Sequence, residues 1–384
     1  MAASAAAILD KMAERMATSL HKTAAINLVA IVILSRGKCS LSKCISVYLV
    51  GMAVADLMVV IISVILKWIG MIYFRGSFLH ITPVCSCITS LNAAVTVVSV
   101  WFTVAFTFDR FVAICCEKLK NEYCTERTAA VVLGTVSVLG CLQSVPWYFT
   151  LNPVYIVDNV PWFCETKPSF RTSPALAAYD MYHLILTPCV PFCLILLLNV
   201  LTVRRILVSS RVRRALRARS NGENQSDPEM ENRKKSIILL FSISGSFILL
   251  WLTQVVFYIY VRIADIQYYY SFSDPVYITQ QTATMLQLLS SCTNTCIYVL
   301  TQNKFRKELK NAIHHGCSNL TFRFLTAPPH LESSRLLTNS QLDASMQVYS
   351  LPMKLMTWLQ EKVRYTTTLS IKIPGIFPAS LRQP

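Results

Sequence analysis

Six stretches of this chain run too long without charge to rest in water. They cover residues 44–66 (interrupted only by Asp56), 76–108, 128–157, 181–203, 236–261 and 275–303. Each exceeds the ~20 residues a helix needs to cross a ~30 Å hydrocarbon core. Backbone groups in lipid must be satisfied within their own segment, so these runs are read as helices. They lack the two-residue alternation of a transmembrane barrel.

A further apolar run, "AAINLVAIVIL" at 24–34, suggests a seventh span but is short. Upstream of it, Asp10, Lys11, Glu14, Arg15, His21 and Lys22 occupy the place where a full helix would continue. The segment has no apolar h-region and is not a signal peptide. It is read as a helical lead-in to an incomplete first membrane helix.

Composition agrees. Of 384 residues, 54% are hydrophobic and only 15% charged, against roughly a quarter charged in a soluble domain. With 10 Gly, no βαβ rhythm and no Gly-rich phosphate loop, an α/β enzyme is disfavoured. No enzyme constellation is found. His314, His315 and Cys317 lack a second ligand pair at metal-binding spacing.

Charge orients the spans. "SRGKCSLSKC" carries Arg36, Lys38 and Lys43 without an acid, and "NKFRKELK" carries Lys304, Arg306, Lys307 and Lys310. Residues 204–235 hold eight Arg and two Lys against four acids. With seven crossings these loops share one face with the loop after Arg110, and the positive-inside rule makes that face cytoplasmic and the N-terminus extracellular. The net charge of +16 follows largely from these loops. The arginines flank membrane spans, which fits anionic lipid headgroups and not nucleic acid.

The third run ends on "FDRFVAICC", where Asp109 and Arg110 arrive side by side after a charge-free stretch. Cys85 lies twenty-five residues before Arg110, or ~37 Å as helix, a full crossing with its interfaces. Cys164 falls in the outer loop "VPWFCETK", where a disulfide can form. A Cys85–Cys164 bridge is expected, with Cys87 the competing partner and unpaired cysteines the other alternative.

In order and spacing these features resemble the rhodopsin-like (class A) G-protein-coupled receptors, from about Asn27 to Ile313. The residues that carry the resemblance are Asn27, Asp56 in "AVADL", Asp109 and Arg110 in "FDRF", Pro191, Phe247 with Trp251, and Asn294 to Tyr298 in "NTCIY", then Phe305. Within the family, "LSKC", "FTFDRFVAICC" and the missing fourth-helix Trp (Val136 or Ser137 in its place) are most similar to the orphan group called probable G-protein coupled receptor 139. Olfactory receptors share an Asp-Arg-x-Val-Ala-Ile-Cys run, but their second- and sixth-helix sequences are absent. The chain departs from the family at Thr253 and Thr295, where prolines are usual, at Asn199, which replaces a Tyr, and at Phe111, which replaces the Tyr beside Arg110.

The resemblance implies an all-α membrane protein: a seven-transmembrane helix bundle with a short amphipathic eighth helix. Residues 1–22 would be an N-terminal segment and 23–313 the receptor domain, with 204–235 as its third cytoplasmic loop. Residues 314–384 would be a disordered cytoplasmic tail, in which "MKLMTWLQEKV" could lie on the membrane surface. Cys317 is a palmitoylation candidate. The sequons at Asn224 and Asn319 fall on the inner side and are discounted.

By resemblance, Asp109 would hold Arg110 in the inactive state. Release would let Arg110 meet a heterotrimeric G protein as helix six swings out, with Phe247, Trp251, Asn294 and Tyr298 as further parts of the switch. An arginine that only marks the boundary is the alternative. Asp56 is costly in a membrane helix and needs a partner. Ser99, Ser290, Ser291, Asn294 and Asn27 are its expected neighbours, as an allosteric sodium site or as a hydrogen-bonded network around a protonated carboxyl. No other cofactor is expected.

Turn-counting inward from Cys85 puts Asn92 and Thr96 on a ligand pocket. His183 and Thr187, Gln254 and Tyr258, Gln280 and Thr284 would join them, with Lys67 and Trp68 near the outer end of the second helix. Interhelical packing is the alternative for each. Asn92 stands where amine receptors carry Asp, which disfavours a biogenic amine. Amides and aromatics suit a small amino-acid-like or peptide ligand, and the orphan group implies an aromatic amino acid. A non-signalling pseudoreceptor is the competing reading. A small transporter is less favoured, because no internal repeat or paired Gly/Pro break is visible.

Overall fold

The computed structural model describes residues 24–70 (save 26, 38 and 40), 74, 76–219, 228–264 and 274–311. Expectations for the N-terminal lead-in, His314, His315, Cys317, both sequons and the tail lie outside the described residues, as does the Trp68 side chain. The chain divides into two compact units, Met1–Leu309 and Lys310–Pro384, and the membrane-crossing helices all belong to the first.

Helix α1 occupies 24–25 and 27–35 among the described residues. Helix α2 (Lys43–Val59) starts at Ser42, whose side chain accepts from the Ile45 amide, and continues as a π-helix over Val60–Ile69. Helix α3 (Thr82–Cys115) begins with Pro83 in its first turn, where the missing N–H costs nothing. Helix α4 (Glu117–Tyr123) follows at once, and α5 (Glu126–Ser144) is capped by Thr125. Pro146 then ends α-helical geometry, and the charge-free run finishes as a 3-10 turn (Val145–Thr150).

The next residues are strands, which hydropathy alone did not separate from helix. Strands β1 (Leu151–Asn152) and β4 (Glu165–Thr166) pair antiparallel, enclosing the hairpin β2 (Tyr155–Val157) and β3 (Val160–Trp162). Its two-residue turn, Asp158 and Asn159, takes the positive φ that closes hairpins. After the short α6 (Ser169–Thr172), the fifth span is built from α7 (Pro174–Leu184), a π segment (Ile185–Cys189) holding Pro188, and α8 (Val190–Arg219). Helices α9 (Pro228–Ile263) and α10 (Pro275–Thr301) run unbroken through Thr253 and Thr295, because threonine keeps the N–H that proline would remove. A last helix covers 303–311.

Five described helical stretches are long and apolar enough to cross a membrane: Lys43–Lys67, Thr82–Cys115, Glu126–Thr150, Pro174–Ser209 and Ser236–Ile263. Helix α10 has the length, with 27 residues, but its Thr, Ser and Gln content makes it less apolar. Helix α3 is central, packing on α2, α5, α8 and α9, while α10 packs on α9 and α2. The inner core joins Val100 and Val104 of α3 to Ile195, Phe247 and Trp251. The outer faces of α5, α8 and α9 leave Leu142, Val200 and Leu249 exposed, as lipid contact requires.

Candidate functional site

The interior holds three connected features along α3. At its outer end, Cys85 is bonded to Cys164, tying the β-hairpin loop to the bundle. Cys87 is free and exposed. Phe163, at φ 58°, donates its amide to the His80 carbonyl at 2.7 Å, and Thr82 Oγ1 donates to the Phe163 carbonyl at 2.8 Å.

Inward of the disulfide lies a cavity of about 630 Å³. Of the residues expected there, Lys67, Asn92, Thr96, His183, Thr187, Tyr258, Gln280 and Thr284 line it. Gln254, one turn before Tyr258, does not: packing covers it to 2% exposure and its Oε1 has no hydrogen-bond partner. The His183 ring meets Trp147 edge-on at 5.3 Å. Ser63, Trp147, Asp180, Arg262 and Gln287 also line the cavity and were not anticipated. Asp180 and Arg262 form an ion pair across the fifth and sixth spans. Each sits one residue outside a charge-free run, a signal that placed both at the same membrane level.

Deeper, Asp56 is 1% exposed. Its Oδ1 accepts from Ser99 Oγ at 3.0 Å and its Oδ2 from Asn294 Nδ2 at 2.8 Å. A space of about 10 Å³, room for about one water, is bounded by Asp56, Ser99, Ser290, Asn294, Phe247 and Trp251. Ser291 is buried nearby, and its carbonyl accepts from Asn27 Nδ2 at 3.1 Å. Trp251 Nε1 donates to Ser290 Oγ at 3.2 Å, and its ring stacks on Phe247 at 5.3 Å. The hydrogen-bond partners of Asp56 are neutral, so a proton or a cation must balance its carboxylate. The oxygen-rich lining, with room for one small occupant, suits a hard cation.

At the inner end, Asp109 (0% exposed) and Arg110 (4%) form an ion pair on one helix. Asp109 Oδ2 accepts from Arg110 Nε at 2.9 Å and from a second guanidinium nitrogen. Arg110 reaches Ser236 Oγ of α9 at 3.4 Å and lies 6.0 Å from the Phe106 ring centre. The other carboxylate oxygen accepts from Cys44 Sγ at 3.2 Å. Cys124 Sγ approaches the Asp109 carbonyl at 3.7 Å, and its thiol is pushed up to about 11 by burial first and then by the Asp109 charge. Between α8 and α9, Ser244 Oγ donates to Asn199 Oδ1 at 3.1 Å. Tyr298 is fully buried against Phe305, ring centres 6.1 Å apart. Ser244 and Ser63 carry no motif, and Cys44 was read only as part of "LSKC", so sequence reasoning gave none of the three a role in the site.

Residues 26–298 match the model of the family described as 7 transmembrane receptor (rhodopsin family). The chain belongs to that family. It is a multi-pass membrane protein, and its family is one of receptors, not enzymes. Similar proteins include Neuropeptide receptor 22 of Caenorhabditis elegans, 26% identical over 54% of this chain and 48% of that protein. The Sex peptide receptor of Drosophila melanogaster is 20% identical over 56% and 53% respectively, and the FMRFamide receptor of the same fly 23% over 50% and 36%. This receptor thus matches about half or less of each relative's length.

Proposed function

We propose that this receptor transduces an extracellular small-molecule or peptide ligand to heterotrimeric G proteins at the plasma membrane, with its N-terminus outside and its tail inside. The observation that carries the reading is the layout of α3. One rigid helix lines the outer cavity with Asn92 and Thr96 and, thirteen residues beyond Thr96, holds the buried Asp109–Arg110 pair at the opposite end. A ligand that favours one packing of the helices around α3 shifts the population of both ends together. The names of these three relatives, each a peptide or neuropeptide receptor, favour a peptide or a peptide-like small molecule. The finer reading is an aromatic amino acid, on the similarity of "LSKC" and "FTFDRFVAICC" to the probable G-protein coupled receptor 139 group.

Asp56, Ser99, Ser290 and Asn294 would hold a sodium ion that supplies a stabilising charge to the resting packing. Asp56 would contribute the carboxylate, Ser99 and Ser290 hydroxyl oxygens. Ser291, engaged through its carbonyl with Asn27, would steady the seventh helix beside it.

The test is G-protein activation in cells with matched surface expression, comparing wild type with Arg110→Ala. A ligand-driven or constitutive signal that disappears in the variant is the expected result. Absence of any Arg110-dependent signal would favour a non-signalling pseudoreceptor.

A further inference from the structure

Beyond Val59 the second span leaves α-helical geometry and runs to Ile69 as a π-helix. Such segments shift the side-chain register of a helix and are frequent at functional sites. Along this one, Ser63 and Lys67 both line the outer cavity.

Ser63 is 6% exposed, and its Oγ has no hydrogen-bond partner. A helical serine or threonine ordinarily gives its proton to the carbonyl one turn back, as Thr96 does to Asn92 at 2.8 Å. Ser63 makes no such bond, so a buried donor is left at the cavity wall. Lys67 has no described acceptor within reach, since the described ion pairs are Lys43–Glu126, Arg110–Asp109 and Arg262–Asp180. From α3, Asn92 faces the same space, and its side-chain amide makes no hydrogen bond among the described residues.

Among the described residues, the charges lining the cavity therefore do not balance. Its acid, Asp180, is taken by Arg262, and Lys67 is left over. A half-buried cation and a buried hydroxyl donor, both without partners among the described residues, are less favourable in the empty protein than when an anion joins them. The geometry points to a carboxylate-bearing ligand, held by Lys67 Nζ and Ser63 Oγ with the Asn92 amide as a further donor. A single unpaired cation suits a monoanionic carboxylate better than a dianionic phosphate. Placing the ligand in this cavity rests on the receptor reading above.

The test uses the full chain in lipid nanodiscs with four probes at millimolar concentration. Two are acids, L-phenylalanine and 3-phenylpropanoate, and two are their amides. Binding is read by thermal shift and titration, and G-protein activation is read in cells. The acids should bind, and the amides should bind about tenfold or more weakly. Lys67→Met should lose acid binding by a similar factor, Lys67→Arg should retain most of it, and Ser63→Ala should show a smaller loss. Without ligand, Lys67→Met should melt at or above wild type, because it removes an unpaired charge. Failure of both acids to bind wild type would overturn the inference. So would equal binding of amides, retained acid binding in Lys67→Met, or a lower melting point of that variant without ligand. Lys67-dependent binding without any Arg110-dependent signal would sink the receptor reading and leave the subsite standing. An Arg110-dependent response to the probes that is indifferent to Lys67 would do the reverse.

Discussion

Cys44 Sγ donates to Asp109 Oδ1 at 3.2 Å, while the other oxygen of that carboxylate holds Arg110. The acid of the inner ion pair is thus fixed from two helices, and the thiol from α2 decides how firmly. Removing it in Cys44→Ala leaves a buried carboxylate oxygen short of a donor and frees Asp109 to turn. A loss of about 1 kcal/mol there is about fivefold in population. The expected outcome is raised ligand-independent G-protein activation at matched surface expression. Cys44→Ser should restore the wild-type level, and unchanged basal signal in Cys44→Ala would refute the role.

Asn27 joins the first and seventh spans: it accepts from Thr295 Oγ1 at 2.8 Å and donates to the Ser291 carbonyl at 3.1 Å. Asn27→Ala leaves both partners buried and unpaired, at about 1–3 kcal/mol. Thr295→Pro installs the residue usual in the family, yet here it removes both a helical N–H and the hydroxyl that Asn27 accepts from. Both variants should melt below wild type in detergent. A Thr295→Pro protein as stable as wild type would count against the Asn27–Thr295 bond.

The Cys124 thiol lies outside the spans, and burial with the Asp109 charge raises it from 9.0 to about 11. The folded protein therefore keeps this proton in the window where an unfolded chain has released it, and any stability it contributes is present below about 9 and lost as pH rises through about 11. Alkylation of Cys124 should be slow at neutral pH and accelerate only well into the alkaline range. Asp109→Asn removes one raising cause, so its labelling curve should move to lower pH. A curve centred near that of an exposed thiol in wild type would show the effect to be absent.

Asp56 has only neutral hydrogen-bond partners. If sodium balances it, replacing sodium by choline should lower the melting temperature. The shift expected is about 1–2 °C for each kcal/mol of binding at this chain size. Asp56→Asn should melt alike in both salts. A sodium effect that persists in Asp56→Asn would place the ion elsewhere.

The Cys85–Cys164 bond anchors the β-hairpin loop. Cys164→Ala should lower thermal stability by about 2–4 kcal/mol, and a reducing agent should then have no further effect. Cys87→Ser should behave as wild type, since Cys87 is unpaired.

Long charge-free runs made the spans legible, because lipid tolerates no other local solution for the backbone. Asp109, Arg110 and Asp56 were legible because a charged residue in an apolar run is rare enough to stand out, and Asn294 through the resemblance that "NTCIY" carries. Most cavity residues followed from helical spacing, but Gln254 did not line the cavity, because packing around a helix face is not visible in its periodicity. The hairpin at Leu151–Thr166 was passed over because its apolar start continues the charge-free run of the fourth span, although Pro146, Pro153, Pro161 and the Asp158-Asn159 pair mark the change.

By itself the sequence determined that this chain crosses a membrane as helices and which charges interrupt those runs, and its loop charges carry the proposed orientation. Hydropathy and loop charge act locally, so composition suffices for them. Only the tertiary structure decided that Cys44 braces Asp109, that Asp180 pairs with Arg262, and that Ser63 and Lys67 face one cavity without partners among the described residues. Those outcomes depend on the rotation and register of helices far apart in sequence. A π-helical stretch such as Val60–Ile69 shifts that register in a way no residue type announces.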